Sequence, residues 1–122
     1  MNFAACISDR MAKKVMPNKI RAESMLRSAE QAIKTAKMIP VTEDTKKTIL
    51  RELYEGLREC CDALGYIKGY KFNDHESIGY FLKDVLEEQS VRKKFDRYRK
   101  LRNGINYYGD DVDVETVKEA LK

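Results

Sequence analysis

Apolar side chains recur every three or four residues along most of the 122-residue chain, and this spacing is typical of amphipathic helices. Only two prolines interrupt the pattern. The apolar spacing predicts a first long helix over residues 18–38 and a second helix of about 25 residues. Thr42 or Asp44 is predicted to cap the second helix, which frays at Gly65 and Gly69. No segment shows a convincing strand pattern.

A third and a fourth helix follow. Residues 73–76, Asn-Asp-His-Glu, are predicted to form a capping box, in which a polar residue at the cap and a Glu three residues later form reciprocal hydrogen bonds. The third helix then buries one stripe, formed by Ile78, Phe81, Leu82, Val85 and Leu86. Ser90 is predicted to cap the fourth helix, which should break between Gly104 and Gly109 because two glycines and two tyrosines interrupt its pattern.

Shorter pieces complete the chain. Residues 3–15 are predicted as a short leading helix, and Asp113 is predicted to start a short last helix. We therefore expect an all-α fold, an up-and-down four-helix bundle with a short fifth C-terminal helix. A single domain over residues 18–122 follows an N-terminal segment, residues 1–17, that contains the short leading helix.

Charge is unevenly distributed, although the formal net charge is only +4. Residues 90–102 contain seven basic side chains and one acid, whereas residues 103–122 contain five acids and two lysines. Arg102 falls on the apolar stripe of the fourth helix. Because a guanidinium is rarely buried alone, Arg102 should pair internally or face a cleft or subunit boundary. The cationic helix face could bind phosphate or simply be solvated.

Cysteine use and the first residues indicate the compartment. The chain has three cysteines, Cys6, Cys60 and Cys61, and an odd number does not indicate a disulfide framework. No histidine stands at the spacing of a metal site, so no zinc site is predicted either. Cys60 and Cys61 fit the packing side of the second helix. Met1 to Ile7 resembles neither a signal peptide nor a membrane span. We expect a cytoplasmic protein with no membrane association, metal or cofactor.

Four short motifs stand in order along residues 20–122. They are Ala22-x-x-x-Leu26-x-x-Ala29-x-x-x-Ile33-x-x-Ala36-Lys37, Ala63-Leu64-Gly65, Gly69-Tyr70-Lys71-x-x-x-His75-x-x-Ile78, and Arg102-Asn103-x-x-x-Tyr107-x-Gly109 followed by Val112-Asp113-x-Glu115. Together they resemble the HEPN family of small helical-bundle proteins. The Arg-Asn motif is the specific part of the resemblance.

In many HEPN proteins this arginine is followed by a histidine, and the resemblance implies metal-independent RNA cleavage by such a pair at a dimer interface. Here the histidine position is occupied by Tyr107, or by Asn106 if the loop shifts by one. Neither can replace an imidazole at neutral pH. The single histidine, His75, is expected to be structural, because it precedes a helix whose N-terminus disfavours the charged ring.

Three functions remain open from the sequence. The first is a catalytically degenerate nucleotide- or RNA-binding protein in a toxin–antitoxin-like system, which the resemblance implies would act as a homodimer or with a small nucleotidyltransferase partner. Its binding residues would be Arg99, Arg102, Asn103, Asn106, Tyr107 and Tyr108. The second is a metal-independent ribonuclease that uses Arg102 and Tyr107 with a proton carrier other than histidine. The third is a protein-interaction module without nucleic-acid binding, whose basic helix docks on an acidic partner and in which Arg102 forms a salt bridge to the protein's own acidic tail. The tyrosines could equally be interface aromatics.

Overall fold

Six helices and one pair of short strands are formed by residues 1–121, the part of the chain that the computed structural model describes. The predicted all-α helical bundle is confirmed. In chain order the elements are α1 (Phe3–Ser8), β1 (Ala12–Lys14), α2 (Lys19–Met38), α3 (Lys46–Lys68), β2 (Tyr70–Phe72), α4 (Glu76–Asp84), α5 (Gln89–Tyr108) and α6 (Val114–Ala120).

Helices α2 and α3 form an antiparallel hairpin, the largest helix pair of the fold. The Asn18 side chain caps α2 by accepting from the Arg21 amide at 3.0 Å. The Asn18 amide donates to the Tyr66 carbonyl at 3.0 Å, which places the start of α2 beside the end of α3. Small side chains at heptad spacing, all fully buried, let the two backbones approach closely: Ala22, Ala29 and Ala36.

The main core lies where α3, α4, α5 and α6 meet. Helix α3 contacts both α5 and α6, and α4 packs along α5. The core consists of buried side chains from these helices, from α2 and from the connection before α6, namely Ala36, Ile49, Leu50, Tyr54, Cys61, Ile78, Leu82, Phe95, Tyr98, Ile105, Val112 and Val117. The arrangement places the third turn of α3, the start of α4 and the last turns of α5 next to one another.

The predicted leading helix is present but is shorter than residues 3–15, and the prediction of no strand is wrong. Helix α1 ends at Ser8, and the chain turns through Arg10, whose φ is +61°. Strand β1 then pairs antiparallel with β2, with Ala12 opposite Phe72. Three residues are too few to show alternation, and the partners lie far apart in sequence. The N-terminal segment packs on α4, where the Phe3 amide donates to Asp84 Oδ2 at 2.8 Å.

One predicted feature of α5 is wrong, the cap, whereas the helix ends within the predicted range of residues 104–109. Its first residue is Gln89, one position before Ser90, so Ser90 lies inside the helix and is not its cap. The helix does not break at Gly104 but continues to Tyr108 and ends at Gly109, whose φ is +67°. Gly104 is buried because the returning chain lies against it, and the Asp110 amide donates to the Gly104 carbonyl at 3.0 Å.

Caps of two other helices differ in detail from the prediction. Neither Thr42 nor Asp44 is the residue before α3. That residue is Thr45, whose hydroxyl donates to the Pro40 carbonyl at 2.5 Å. Before α4, Asp74 accepts from the Ser77 amide at 2.8 Å. The Asn73 side chain instead donates to the Arg10 carbonyl at 2.9 Å, because the strand pairing draws Asn73 away from the helix.

Candidate functional site: a buried arginine beside the single histidine

Arg102 is buried on the inner face of α5, with only 8% of its surface exposed. The expectation that it is not a free surface residue is confirmed. Its position follows from the helical repeat, since Tyr98 and Ile105 lie on the same face and are also buried. The apolar stripe of α5 therefore carries one cation into the interior.

The guanidinium of Arg102 contacts the ring of His75. The distance from Arg102 Nη2 to His75 Nδ1 is 2.7 Å, and the Tyr54 hydroxyl lies 2.8 Å from the same nitrogen. A guanidinium has donors only, so Nδ1 must accept this hydrogen bond. His75 is therefore neutral, with its proton on Nε2. In that tautomer, Nε2 carries the proton and can donate a hydrogen bond.

Burial and neighbouring charge both keep His75 neutral. Burial of the half-buried ring lowers the pKa of His75 below the ordinary 6.5, and the Arg102 cation lowers this pKa further. Burial raises the pKa of Tyr54, which keeps its hydroxyl protonated at neutral pH. The cluster of Tyr54, His75 and Arg102 consequently carries one positive charge, which resides on Arg102.

No carboxylate lies within 4.0 Å of the Arg102 guanidinium in residues 1–121. The salt bridge to the acidic tail that the interaction-module hypothesis requires is absent from this part of the chain. The tail acids pair elsewhere, Asp111 with Lys46 at 3.0 Å and Glu119 with Arg97 at 3.3 Å. The ring of Tyr54, 4.7 Å from the guanidinium carbon, provides partial compensation. The Arg102 Nε is buried without a hydrogen-bond partner.

Arg102 forms part of the wall of an open groove of about 340 Å³ between α4 and α5, here called the Arg102 groove. Its lining residues are Asp74, His75, Glu76, Arg99, Arg102, Asn103 and Tyr107. The two acids stand on the α4 side, where the positive end of the helix offsets their charge. The arginines stand on the α5 side, so a ligand in the groove would meet them directly.

Of the binding residues predicted from sequence, four line this groove: Arg99, Arg102, Asn103 and Tyr107. The other two do not. The Asn106 side chain accepts from Arg51 Nε at 2.7 Å, which holds it toward α3. Tyr108 is 80% exposed and lies about half a turn around the helix from Arg99.

Sequence reasoning missed His75 and Tyr54 as parts of this site. His75 is predicted from the sequence to be structural, at the start of a helix, and the sequence assigns Tyr54 no role in a site. They lie 27 and 21 residues from the partners they contact. No local signal joins them, because their meeting depends on how α3, α4 and α5 pack. A lone histidine just before a helix, combined with an unpaired arginine on an apolar stripe, was the available hint.

The other reactive side chains show no sign of catalysis. Cys61 is buried, as expected, and burial raises its thiol pKa to about 12, whereas Cys60 is half-buried with a raised pKa. Both are poor nucleophiles in this state. No group of three or more His, Cys, Asp or Glu side chains suited to a metal ion occurs in residues 1–121.

None of the helices within residues 1–121 is both long enough and apolar enough to cross a bilayer. Comparison of the chain with protein-family models, with curated proteins and with solved structures gives no match. The groove's own geometry and charge are therefore the basis for inferring function.

Proposed function

We propose that this chain binds phosphate groups of RNA or nucleotides in the Arg102 groove, as a HEPN-like protein that is degenerate in catalysis. The observation that carries the proposal is the buried guanidinium of Arg102, which has no carboxylate partner in residues 1–121. A buried cation without a counter-charge is costly. An anion entering the groove would supply that counter-charge and gain charge-assisted hydrogen bonds.

The hydrogen-bond inventory of His75 and of the α5 side of the groove favours an anion, whereas Asp74 and Glu76 at the α4 side oppose one. Arg102 has donors only, and His75 presents an Nε2–H donor because its Nδ1 accepts from Arg102. Asn103 adds an amide, and Arg99 adds a second guanidinium whose nearest acid, Asp96, is 3.7 Å away. Tyr107, 69% exposed at the groove wall, offers a ring on which a base could stack.

A homodimer, or a pairing with a small nucleotidyltransferase-type protein in a toxin–antitoxin-like system, is part of the same proposal. Its support is the resemblance of the sequence motifs, together with the two exposed tyrosines at the end of α5. Tyr107 and Tyr108 are among the most exposed large apolar side chains of residues 1–121. Tyrosine next to arginine is a composition enriched at protein interfaces.

The test is binding of a fluorescent single-stranded RNA and of labelled ATP to wild type and Arg102→Ala. We expect the substitution to weaken binding about tenfold or more, because hydrogen bonds to a charged group are lost. Lys93→Ala is the matched control, since Lys93 is an exposed cation on the same helix outside the groove. Far-UV circular dichroism establishes that the variants fold.

Binding by wild type should also weaken as salt is raised, because phosphate contacts release counterions. Affinity that is insensitive to both Arg102→Ala and salt would refute phosphate binding in the groove. Equal losses in Arg102→Ala and Lys93→Ala would also count against it, because they would indicate a diffuse charge effect.

A metal-independent ribonuclease is the second candidate, because Arg102 and the single histidine, His75, lie side by side at the groove. In its present tautomer His75 cannot accept a proton from a ribose 2′-hydroxyl, because Nε2 already carries one. Cleavage would require His75 to release Arg102, or a proton carrier other than histidine. RNA incubated with the protein in the presence of EDTA should stay intact if the protein only binds RNA. Cleavage by wild type that is abolished by Arg102→Ala, and by either His75→Gln or Tyr107→Phe, would establish the enzyme instead.

A further inference from the structure

A second, deeper cavity of about 180 Å³ lies among α2, α3, α5 and α6, on the other side of Tyr54 from the Arg102 groove. Most of its lining is apolar, and the lining residues are Ile33, Lys37, Leu50, Leu53, Tyr54, Leu57, Lys94, Tyr98, Ala120 and Leu121. Apolar cavities of about 150 Å³ are large enough to hold a benzene ring. This space, here called the Lys37–Lys94 cavity, thus accommodates one small ring or a short branched chain.

The charge of the cavity lining has one sign. Within residues 1–121, Lys37 from α2 and Lys94 from α5 are the two charged residues of the lining, and no acid lines the cavity. Neither lysine forms a salt bridge within residues 1–121. Both side chains are exposed, so their ammonium groups are hydrated where they meet the cavity. An anionic group on an apolar ligand would therefore be attracted to this side of the cavity.

The apolar body of such a ligand should be a hydrocarbon rather than a nucleobase. Within residues 1–121 the lining contains no side-chain amide, carboxylate, serine or threonine; apart from the two lysines, its polar side-chain groups are the hydroxyl of Tyr98 and that of Tyr54, which is already engaged with His75. A nucleobase would leave several polar edge atoms without partners, and each buried unsatisfied group is costly. A hydrocarbon ring gains from burial against the leucines and against the faces of Tyr54 and Tyr98.

We propose that the Lys37–Lys94 cavity binds a small carboxylate with an aromatic or branched hydrocarbon body. The bound carboxylate also affects the Arg102 groove, through Tyr54. The ring of Tyr54 lines the cavity while its hydroxyl lies 2.8 Å from His75 Nδ1. A ligand packed against the ring of Tyr54 changes the position of the Tyr54 hydroxyl, which contacts His75. This inference does not depend on whether the groove binds RNA.

The experiment is an NMR titration of the whole chain with 3-phenylpropionate, beside the neutral 3-phenylpropanol of matched size. Saturable shifts at Leu57 and Ala120 are expected for the carboxylate. The alcohol should bind about fivefold more weakly, the scale of exposed ion pairs. The double variant Lys37→Gln, Lys94→Gln changes only exposed residues and should bind both compounds equally. No saturable shift in wild type, or equal affinity of wild type for both compounds, overturns the proposed ligand class.

Occupancy of the cavity is tested with Ala120→Leu, which adds volume to the lining from α6. This variant should lose carboxylate binding, and undiminished binding would place the ligand elsewhere and overturn the proposal. The link to the groove is read at His75, the one histidine of the chain. Its imidazole resonances should shift as 3-phenylpropionate saturates wild type. Resonances of His75 that stay unchanged at saturation overturn the communication through Tyr54.

Discussion

At the scale of single residues, the defining feature is a cation and an imidazole that share one hydrogen bond. Sequence reasoning identified Arg102 because an arginine on an apolar stripe requires compensation. It did not identify His75 as its partner, because the functional value of a histidine depends on what the fold places beside it. The contact of 2.7 Å fixes the tautomer of His75 and hence its role as a donor.

Stability should depend on the protonation of His75. Because the pKa of His75 is lowered in the folded protein, the unfolded chain binds a proton below pH 6.5 that the folded chain excludes. The free energy of unfolding should therefore fall as pH drops from the unfolded pKa towards the folded pKa. Chemical denaturation of wild type and His75→Gln at about pH 7.5 and about pH 5.5 measures this effect.

The expected outcome is that wild type loses more stability than His75→Gln on acidification. Asp62 acts in the opposite direction, since burial raises its pKa to about 6 and its folded form binds the proton more readily. Both proteins contain Asp62, so its contribution cancels in the comparison. An equal loss of stability in the two proteins would contradict the lowered pKa of His75.

At the scale of elements, close helix approach depends on glycines whose environments differ. In α3, a Cβ on Gly56 would lie 2.6 Å from Ile33 Cγ1 and 3.3 Å from the Ala29 carbonyl oxygen. In α5, a Cβ on Gly104 would meet Asp110 Oδ2 at 2.6 Å, the end of an exposed side chain that can turn away. The first contact is part of a packed interface, whereas the second can relax.

We therefore expect Gly56→Ala to destabilise the protein by about 1–3 kcal/mol, the usual cost of overpacking a helix interface. Gly104→Ala should leave the free energy of unfolding unchanged or raise it by up to about 1 kcal/mol, because alanine favours the helix. Urea unfolding of both variants measures the difference. Equal destabilisation by both substitutions would show that Asp110 is fixed in place.

At the scale of the whole molecule, the sequence predicted the bundle but not its connections. The helical repeat located α2, α3 and α5 well, because long periodic segments average out local exceptions. It missed the β1–β2 pairing and the return of the chain against Gly104, which depend on contacts between distant residues. For the candidate site, it located the α5 side of the groove, whereas the α4 side and Tyr54 required the three-dimensional packing.

Sedimentation tests the proposed homodimer. Wild type should sediment with twice the 14.2 kDa mass of the chain, and Tyr107→Ser with Tyr108→Ser should sediment as a monomer. The physical reason is the loss of two aromatic contacts from an exposed patch. Ile20→Ser, which removes an equally exposed apolar side chain from the start of α2, should remain dimeric. A wild-type protein that sediments as a monomer would refute self-association.

Because Tyr107 lies in the groove wall, its intrinsic fluorescence can report on what binds there. The chain has seven tyrosines and no tryptophan, so phenol emission is not masked by energy transfer to an indole. A base stacked on Tyr107 would quench part of that emission, while the fluorescence of the buried Tyr54 provides a background that solvent does not reach. Occupancy of the groove can thus be followed on unlabelled material.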